Sequence, residues 1–275
     1  MDINPDKITA YFRAHADIRD IVHEVLLFDE VSSTNDIALE MAGNGMPEGL
    51  AILAESQTHG KGRQGRKWFS PPGKNIYLSL LLRPTVQVRE YPLFSPTVAL
   101  GVIKGIKKYT GLEVGIKWPN DLILSDKKVG GLLMVSGRAG EHAQPLIVGL
   151  GLNVNLNQDE FPEDLQEIAT ALKVPLKTPI DRSTLIMNLI DAISTEIHRL
   201  EAGEIQDIMH EVRRHCVTLG KRVRVSTARQ VFEGQAESLS DDGALQIRLG
   251  DNSIRSLLMG DITHLRETTT THTME

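Results

Sequence analysis

Nine consecutive residues, 60–68, have the sequence GKGRQGRKW and combine three glycines, four cations and one indole. Glycines allow the backbone to turn with positive φ and bring its N–H groups close to a ligand. The cations can bind an anion, and the indole of Trp68 offers a flat face to a planar group or a cation. This combination predicts a loop that binds a small molecule both anionic and planar, and a nucleotide is the simplest such molecule.

The spacing Gly60-x-Gly62-x-x-Gly65 also matches the dinucleotide-binding fingerprint. That fingerprint requires a preceding strand and a helix that opens at the glycines. The paired prolines at 71 and 72 exclude a helix directly after this loop, so we reject the dinucleotide interpretation. Two alternatives stay open for the run taken alone: a basic surface turn without a ligand, and general nucleic-acid binding.

Other segments place polar residues or glycines where a hydrophobic core would not. They are 32–35 (SSTN), 117–121 (KWPND) followed by 127–131 (KKVGG), and 148–153 (VGLGLN). Alternate glycines at 149 and 151 leave one strand face bare, so that a ligand can lie against it beside Asn153. The alternatives are helix capping by the hydroxyl groups of 32–35 and a close approach of two strands at the glycines.

Composition limits the protein classes to which the chain can belong. Its 275 residues include 30 Lys+Arg and 36 Asp+Glu, a net charge of −6, so no general positive field attracts nucleic acid or an anionic membrane. Cys216 is the only cysteine, which excludes a disulfide framework and a cysteine-rich zinc site. The N-terminus lacks a signal-peptide pattern, and no apolar run reaches about 18 residues. We therefore expect a cytoplasmic protein that binds neither DNA nor membrane.

Hydrophobic periodicity predicts both helices and strands. Predicted helices cover 5–25, 37–41, 163–172, 181–202 and 204–216, and a further helix opens at Ser95-Pro96 and is closed by Gly111. Predicted strands cover 26–28, 50–54, 75–82, 112–117, 122–124, 129–136 and 145–155. Ser33-x-x-Asp36 matches a capping box before the second helix. From 221 to 266 short strands alternate with hairpin turns at 241–243 and 250–252.

These patterns divide the chain into four predicted parts. They are an N-terminal helical segment (1–26), a catalytic domain (27–218), a small C-terminal β-barrel (219–267) and a disordered tail (268–275).

Taken together, the polar and glycine-rich segments resemble the biotin–protein ligase family, which attaches biotin to one lysine of biotin-dependent carboxylases. The matching segments, in the family's order and spacing, are 31–35 (VSSTN), 54–68 (AESQTHGKGRQGRKW), 117–121, 128–131 (KVGG) and 149–153 (GLGLN). The resemblance covers roughly residues 28–266. It implies an α+β fold like that of class II aminoacyl-tRNA synthetases and biotinyl/lipoyl ligases, a mixed sheet flanked by helices, with a C-terminal SH3-like barrel.

The resemblance implies a two-step reaction. Biotin and ATP condense to biotinyl-5′-AMP with release of pyrophosphate, and a carrier lysine then attacks the mixed anhydride. Lys128 is expected to bridge the biotin carboxylate and the α-phosphate, with Lys117 and Arg63 as the other catalytic residues, because fixed cations offset the repulsion between these anions. The expected biotin-binding residues are Ser33, Thr34, Asn35, Gln57, Lys61, Gly62, Arg63, Lys128 and Gly131. The expected ATP- or adenylate-binding residues are Arg63, Arg66, Trp68, Asn120, Asp121, Lys128 and Asn153.

Cofactors and partners follow from the same resemblance. We expect Mg²⁺ to accompany ATP, held mainly by the phosphates and water rather than by a protein site. The expected acceptor is a biotin carboxyl carrier protein or domain of acetyl-CoA carboxylase or a related carboxylase, and some relatives form homodimers. Residues 1–26 leave room for one helix only, so we expect a monofunctional ligase without a winged helix-turn-helix. The loop at 60–68 is expected to be mobile when empty and ordered over the adenylate.

Two alternatives from other classes remain. Lipoate– or octanoate–protein ligases and transferases share the implied fold and also act on a carrier lysine, although the basic loop favours biotin. A nucleic-acid-binding module made of the barrel and the Trp68 loop is the second. The negative net charge, and the lack of aromatic residues interleaved with cations, argue against it.

Overall fold

Two sheets organise the computed structural model, which describes residues 3–15, 21–137, 144–227, 230–258 and 260–265. The helices are α1 (Pro5–Ala14), α2 (Thr34–Gly43), α3 (Phe94–Thr110), α4 (Glu163–Gln166), α5 (Lys173–Leu176), α6 (Arg182–Glu201) and α7 (Ile205–His215). The strands are β1 (Glu24–Val31), β2 (Leu50–Gln57), β3 (Ile76–Leu82), β4 (Gly115–Lys117), β5 (Asp121–Leu124), β6 (Lys127–Ser136), β7 (Leu146–Leu152), β8 (Arg222–Ser226), β9 (Val231–Leu239), β10 (Leu245–Arg248), β11 (Ile254–Leu257) and β12 (Asp261–His264). Short 3₁₀ turns occupy Arg63–Gly65, Val88–Leu93 and Gln158–Glu160.

The large sheet has seven strands in the order β1-β2-β3-β7-β6-β5-β4. β1 runs parallel to β2, and every other neighbouring pair is antiparallel. β3 lies near the centre and every one of its residues is buried, as its nearly continuous apolar sequence predicts. The predicted mixed α+β architecture is therefore confirmed.

The two faces of this sheet are covered by different helices. Because side chains alternate along a strand, Ala51 and Leu53 of β2 face a large core that includes residues of α1, α3 and α6. Leu50 and Ile52 face the opposite way and pack with Ile147 of β7 against the buried alanines of α2. Beyond residue 147 on this second face β7 carries glycines, and the apolar cover ends there.

Helices α3 and α6 pack unusually close together because two glycines lie one turn apart on α3. A Cβ on Gly101 would lie 2.7 Å from the Cα of Ile193, and one on Gly105 would lie 2.8 Å from the carbonyl oxygen of Asn188. Any larger residue at either position would force the helices apart. This contact fixes the helical layer behind the sheet.

Two predicted helices are wrong in extent. The first ends at Ala14, where His15 adopts extended backbone angles, and Glu24 already belongs to β1; residues 16–20 lie outside the described residues. Of the predicted helix 163–172 only the first turn is present, as α4, and α5 begins after that range at Lys173. Between them the backbone pairs with Lys128, whose N–H donates to the carbonyl of Ile168 while its own carbonyl accepts from Thr170. Long-range pairing therefore outweighs local helix propensity in this segment.

The predicted capping box before α2 is also wrong. Ser33 stands at the N-cap position, but its side chain makes no capping hydrogen bond. Asp36 does not reach back to it and instead pairs with Lys61 at 2.7 Å. Neither side chain therefore caps the start of α2.

The C-terminal sheet is antiparallel and has five strands in the order β11-β10-β9-β8-β12. Both predicted hairpins are present, joining β9 to β10 and β10 to β11. No pairing between β11 and β12 closes this sheet into a barrel within the described residues. The predicted tail at 268–275 lies outside the described residues. Among the described helices, none is long and apolar enough to cross a membrane.

Candidate functional site

A cavity of about 810 Å³ lies between the second face of the large sheet, the loop 60–68 and the edge of the C-terminal sheet. Every residue predicted from the sequence to bind or react contributes to its wall. They are Ser33, Thr34, Asn35, Gln57, Lys61, Gly62, Arg63, Arg66, Trp68, Lys117, Asn120, Asp121, Lys128, Gly131 and Asn153. The fold thus brings five separate sequence segments to one place.

One end of the cavity is a neutral hydrogen-bonding network. The backbone N–H of Thr34 donates to Oε1 of Gln57 at 2.9 Å, and Nε2 of Gln57 donates to Ser70 Oγ at 3.0 Å. Ser79 Oγ lies 2.6 Å from Oδ1 of Asn35 and 2.8 Å from Oγ1 of Thr34. Sequence analysis did not identify Ser79, although it is the one polar residue within the apolar strand β3. Neutral donors and acceptors of this kind suit an uncharged polar group in a mostly dry pocket.

The glycines of β7 admit side chains from elsewhere in the protein. A Cβ on Gly149 would lie 2.3 Å from Oδ1 of Asn35, and one on Gly151 would lie 2.6 Å from Nε1 of Trp68. Gly149 pairs with Ser79 in an ordinary antiparallel register, so a closer strand approach is not their purpose. The indole N–H of Trp68 is buried and has no hydrogen-bond partner among the described residues.

Lys128 lies between the polar end and the basic loop. Its Nζ is 2.6 Å from Oδ1 of Asp121 on the neighbouring strand and 5.3 Å from the centre of the Trp68 ring. About a third of its side chain is exposed. A cation held in this way can contact a ligand on its remaining side.

The loop 60–68 forms a small hairpin over the cavity. The N–H of Gly62 donates to the carbonyl of Arg66 at 2.7 Å, and the N–H of Trp68 donates to the carbonyl of Gly60 at 2.8 Å. Between these bonds Gln64 takes a left-handed conformation with φ 56°. The turn therefore projects the long cations of the loop away from its own backbone.

The cations of the loop have distinct partners. Lys61 pairs with Asp36 of α2. Arg63 donates through Nη1 to Oδ1 of Asn120 at 3.2 Å and to the carbonyl of Gly260 at 3.3 Å. Arg66 pairs with the carboxylate of Asp261. Gly260 and Asp261 belong to the C-terminal part of the chain, and no sequence pattern identified them as part of this site.

Burial removes water from two cations of the cavity and so disfavours their charged forms. It lowers the pKa of the Arg63 guanidinium, although Asp261 and Asp121 partly oppose the shift. It also lowers the pKa of the Lys117 ammonium, beside which Lys128 is a further positive charge. Among the described residues Arg63 and Lys117 make no ion pair, so their desolvated charges create a local potential that attracts an anion.

His264 is the last residue of β12 and lines the cavity. Its pKa is lowered to about 4 by burial and by the neighbouring charges of Lys117 and Lys221. Its Nε2 is 3.3 Å from Oγ1 of Thr218. The imidazole is therefore neutral at physiological pH.

Asn153 reaches the cavity wall, but its side-chain amide is used by the protein. Nδ2 donates to the carbonyl of Thr170 at 3.1 Å, and Oδ1 accepts from Asn75 at 3.4 Å. The side chain is almost completely buried. It holds the segment that passes beside Lys128, and its predicted contact with the nucleotide stays a prediction.

Two family models match the chain. The biotin/lipoate A/B protein ligase family matches residues 27–153, and the biotin protein ligase C-terminal domain matches residues 218–265. These ranges contain all the cavity residues predicted from the sequence.

Individual proteins with similar sequences or structures agree with those matches. The chain is 32% identical to a bifunctional ligase/repressor of Bacillus spizizenii over 234 residues, 85% of this chain and 72% of the relative. It is 30% identical to a biotin–[acetyl-CoA-carboxylase] ligase of Mycobacterium tuberculosis over 243 residues, 86% of this chain and 87% of the relative. A structure of Aquifex aeolicus biotin protein ligase with biotin and ATP superposes with a TM-score of 0.75 and 27% identity, covering 88% of this chain and 98% of that one.

Proposed function

Because the chain belongs to the biotin/lipoate A/B protein ligase family, we propose that it activates biotin with ATP and transfers the biotinyl group to a lysine of a carrier domain. The match to a biotin protein ligase C-terminal domain favours biotin over lipoate or octanoate. The observation that carries the proposal is the position of Lys128, whose ammonium lies between a neutral polar pocket and a loop of partly desolvated cations.

In the first step a carboxylate oxygen of biotin attacks the α-phosphorus of ATP. The new bond gives the mixed anhydride biotinyl-5′-AMP, and the bond to the β-phosphate oxygen breaks to release pyrophosphate. Two anions must approach and more charge develops on the phosphorus oxygens, so fixed cations lower the barrier. We assign this role to Lys128, Lys117 and Arg63, with Asp121 orienting the ammonium of Lys128.

In the second step the neutral amine of the carrier lysine attacks the acyl carbon of the anhydride. A C–N bond forms, the bond to the AMP phosphate oxygen breaks, and AMP leaves while the amine loses a proton. No protein nucleophile is needed. The only cysteine, Cys216, is buried and burial raises the pKa of its thiol, which does not suit a nucleophile.

In this proposal biotin and ATP contact different parts of the cavity wall. Ser33 and the neutral network of Thr34, Asn35 and Gln57, with Gly131 as a close backbone contact, would bind the ureido ring of biotin. Lys61, Gly62 and Arg63 would cover its carboxylate. Trp68, Asn120, Asp121 and Asn153 would contact the nucleotide.

Mg²⁺ in this proposal arrives with ATP. Among the described residues no group of three or more His, Cys, Asp or Glu side chains could hold a metal ion. Phosphate oxygens and water are therefore the ligands we propose for it, since Mg²⁺ keeps several waters when it binds with a nucleotide.

The remaining predictions concern organisation and partners. The family-model ranges support domain boundaries near 27 and 219. An SH3-like barrel for the C-terminal sheet stays a prediction. A biotin carboxyl carrier domain is the proposed acceptor. Formation of a homodimer and lack of DNA binding stay predictions.

The direct test is adenylate formation without an acceptor. Purified protein is incubated with Mg²⁺, α-labelled ATP and either biotin or lipoate, and the products are separated. We expect biotinyl-AMP from biotin and little product from lipoate. A preference for lipoate would replace the proposal with the lipoate alternative, and no adenylate from either acid would contradict a ligase function.

A further inference from the structure

The two arginines of the loop 60–68 both reach residues 260–261 of the C-terminal part, but they contact different kinds of group there. Arg63 contacts two neutral oxygens, Oδ1 of Asn120 and the carbonyl of Gly260. Among the described residues no carboxylate lies within ion-pair distance of Arg63. Arg66, three residues along, is paired with the carboxylate of Asp261. Arg66 therefore has a direct ion-pair partner within the protein, whereas Arg63 interacts with the carboxylates of Asp261 and Asp121 only at longer range.

The carboxylate of Asp261 is held firmly. Asp261 begins β12 and pairs with Ser226 of β8, and the next residue, Ile262, is buried in the core. Arg66 by contrast lies in a loop outside both sheets, and 62% of its side chain is exposed. In such a pair the carboxylate held in a strand positions the loop rather than the reverse.

We propose that Arg66 and Asp261 form a docking pair, by which the C-terminal sheet positions the loop so that Arg63 points over the cavity. In this arrangement Arg66 is a positioning residue that acts through Asp261 and does not contact the substrate phosphate. This differs from its expected role as an adenylate-binding residue, which the family resemblance implied. The identity of the anion that Arg63 meets rests on the proposed function, but the docking itself does not.

The expected strength of the ion pair between Arg66 and Asp261 suits a positioning contact. An exposed arginine–carboxylate pair shifts an equilibrium by about two- to fivefold. That is enough to bias the loop toward its docked form and too little to lock it, so a substrate can still enter. In the structure one guanidinium nitrogen of Arg66, Nη2, contacts one carboxylate oxygen of Asp261, Oδ2.

The first test needs no substrate. Hydrogen exchange of the loop amides that bond across the hairpin, those of Gly62 and Trp68, is measured in the full-length ligand-free protein. We expect exchange to rise about two- to fivefold in Arg66→Ala and in Asp261→Ala, and no further in the double variant. The charge swap, Arg66→Asp with Asp261→Arg, should return exchange toward the wild-type rate.

Arg248→Ala is the matched control. It removes another arginine–carboxylate pair of the C-terminal sheet, with Glu237, away from the cavity. Loop exchange should be unchanged in this variant. Additive effects of the two single variants, or a charge swap that does not restore slow exchange, would overturn the docking pair. Neither result depends on whether the ligand is biotin.

The second test separates positioning from phosphate binding. If Arg66 acts through Asp261, the two alanine variants should raise the KM for ATP by similar factors, and the charge swap should recover most of the loss. If Arg66 instead binds phosphate, Arg66→Ala should raise the KM while Asp261→Ala leaves it unchanged or lowers it, because a competing carboxylate has been removed. That second pattern overturns the assignment of Arg66. Unchanged unfolding midpoints exclude a general loss of fold.

Discussion

Lys128 reaches the carboxylate of Asp121 by passing over Gly131. A Cβ on Gly131 would lie 3.3 Å from Cε of Lys128 and 3.5 Å from Oδ1 of Asp121, so any side chain there would crowd the ion pair. Residues three apart on a regular strand point to opposite faces. Here the pairing between β5 and β6 shifts after Leu122, and this β-bulge places Lys128 and Gly131 on the same face.

Replacing Lys128 by alanine should nearly abolish adenylate formation. The substitution removes the cation that we place between the carboxylate and the α-phosphate, and loss of one such group typically costs about 100- to 1,000-fold in rate. Pyrophosphate release with biotin and ATP measures the step directly.

Lys127→Ala provides the matched control for that experiment. Lys127 is the adjacent lysine, but its Nζ donates to the carbonyl of Gln166 instead of pairing with Asp121. Its loss should change the rate by less than about tenfold. Equal losses in both variants would show that the segment, rather than the charge of Lys128, matters.

Adding one methyl group at Gly149 should damage the neutral end of the cavity. The new Cβ would overlap Oδ1 of Asn35, which is buried and bonded to its neighbours. We expect a loss of about 1–3 kcal/mol in the free energy of unfolding, as for other overpacked sites, together with a raised KM for biotin. Gly250→Ala, where nothing lies within 4 Å, should alter neither quantity. An unchanged KM in Gly149→Ala would argue against biotin binding at this end.

The fold depends on a buried ion pair behind the site. Arg182 is fully buried and donates to both carboxylate oxygens of Glu55, at 2.7 and 3.1 Å. Glu55→Gln removes the negative charge of Glu55 from a buried ion pair, which should cost about 3–5 kcal/mol in the free energy of unfolding. Urea denaturation at neutral pH measures it. The exposed pair of Arg224 and Glu233 gives the comparison, because Glu233→Gln should cost less than about 1 kcal/mol.

The pH dependence of stability should contain a contribution from His264. Its pKa is about 4 in the folded protein, near Lys117, Lys221 and Asp126, against an ordinary value of 6.5. Below pH 6.5 the unfolded chain therefore binds a proton that the folded protein does not, and stability is lost progressively down to about pH 4. Because the ring is only half buried, solvent screening reduces the expected effect to about 1–2 kcal/mol.

His264→Gln should remove this contribution. We expect the variant to lose less stability than the wild type between pH 7 and pH 4.5 in urea denaturation. His210→Gln, at an exposed position of α7, should keep the wild-type slope. If the stability of His264→Gln falls with pH as steeply as that of the wild type, His264 is not the source of this contribution.

Local sequence predicted elements that carry their own pattern. The apolar run of β3, the two C-terminal hairpins and the long helix α6 are present as expected. The helices expected at 5–25 and 163–172 are wrong, because residues near 24 join the sheet and residues near 169 pair with Lys128. Periodicity reports which face of a segment is apolar, and it does not report a backbone partner far along the chain.

The sequence by itself determined the family and the types of residue in the site, since the order and spacing of its motifs are specific and all of them line one cavity. Tertiary structure decided which of these residues face each other. The bulge that turns Lys128 toward Asp121, and the strand that brings Asp261 to Arg66, join positions whose spacing in the chain carries no information on contact. Ion pairs depend on distances of a few ångströms between side chains, and only the packed sheets set those distances.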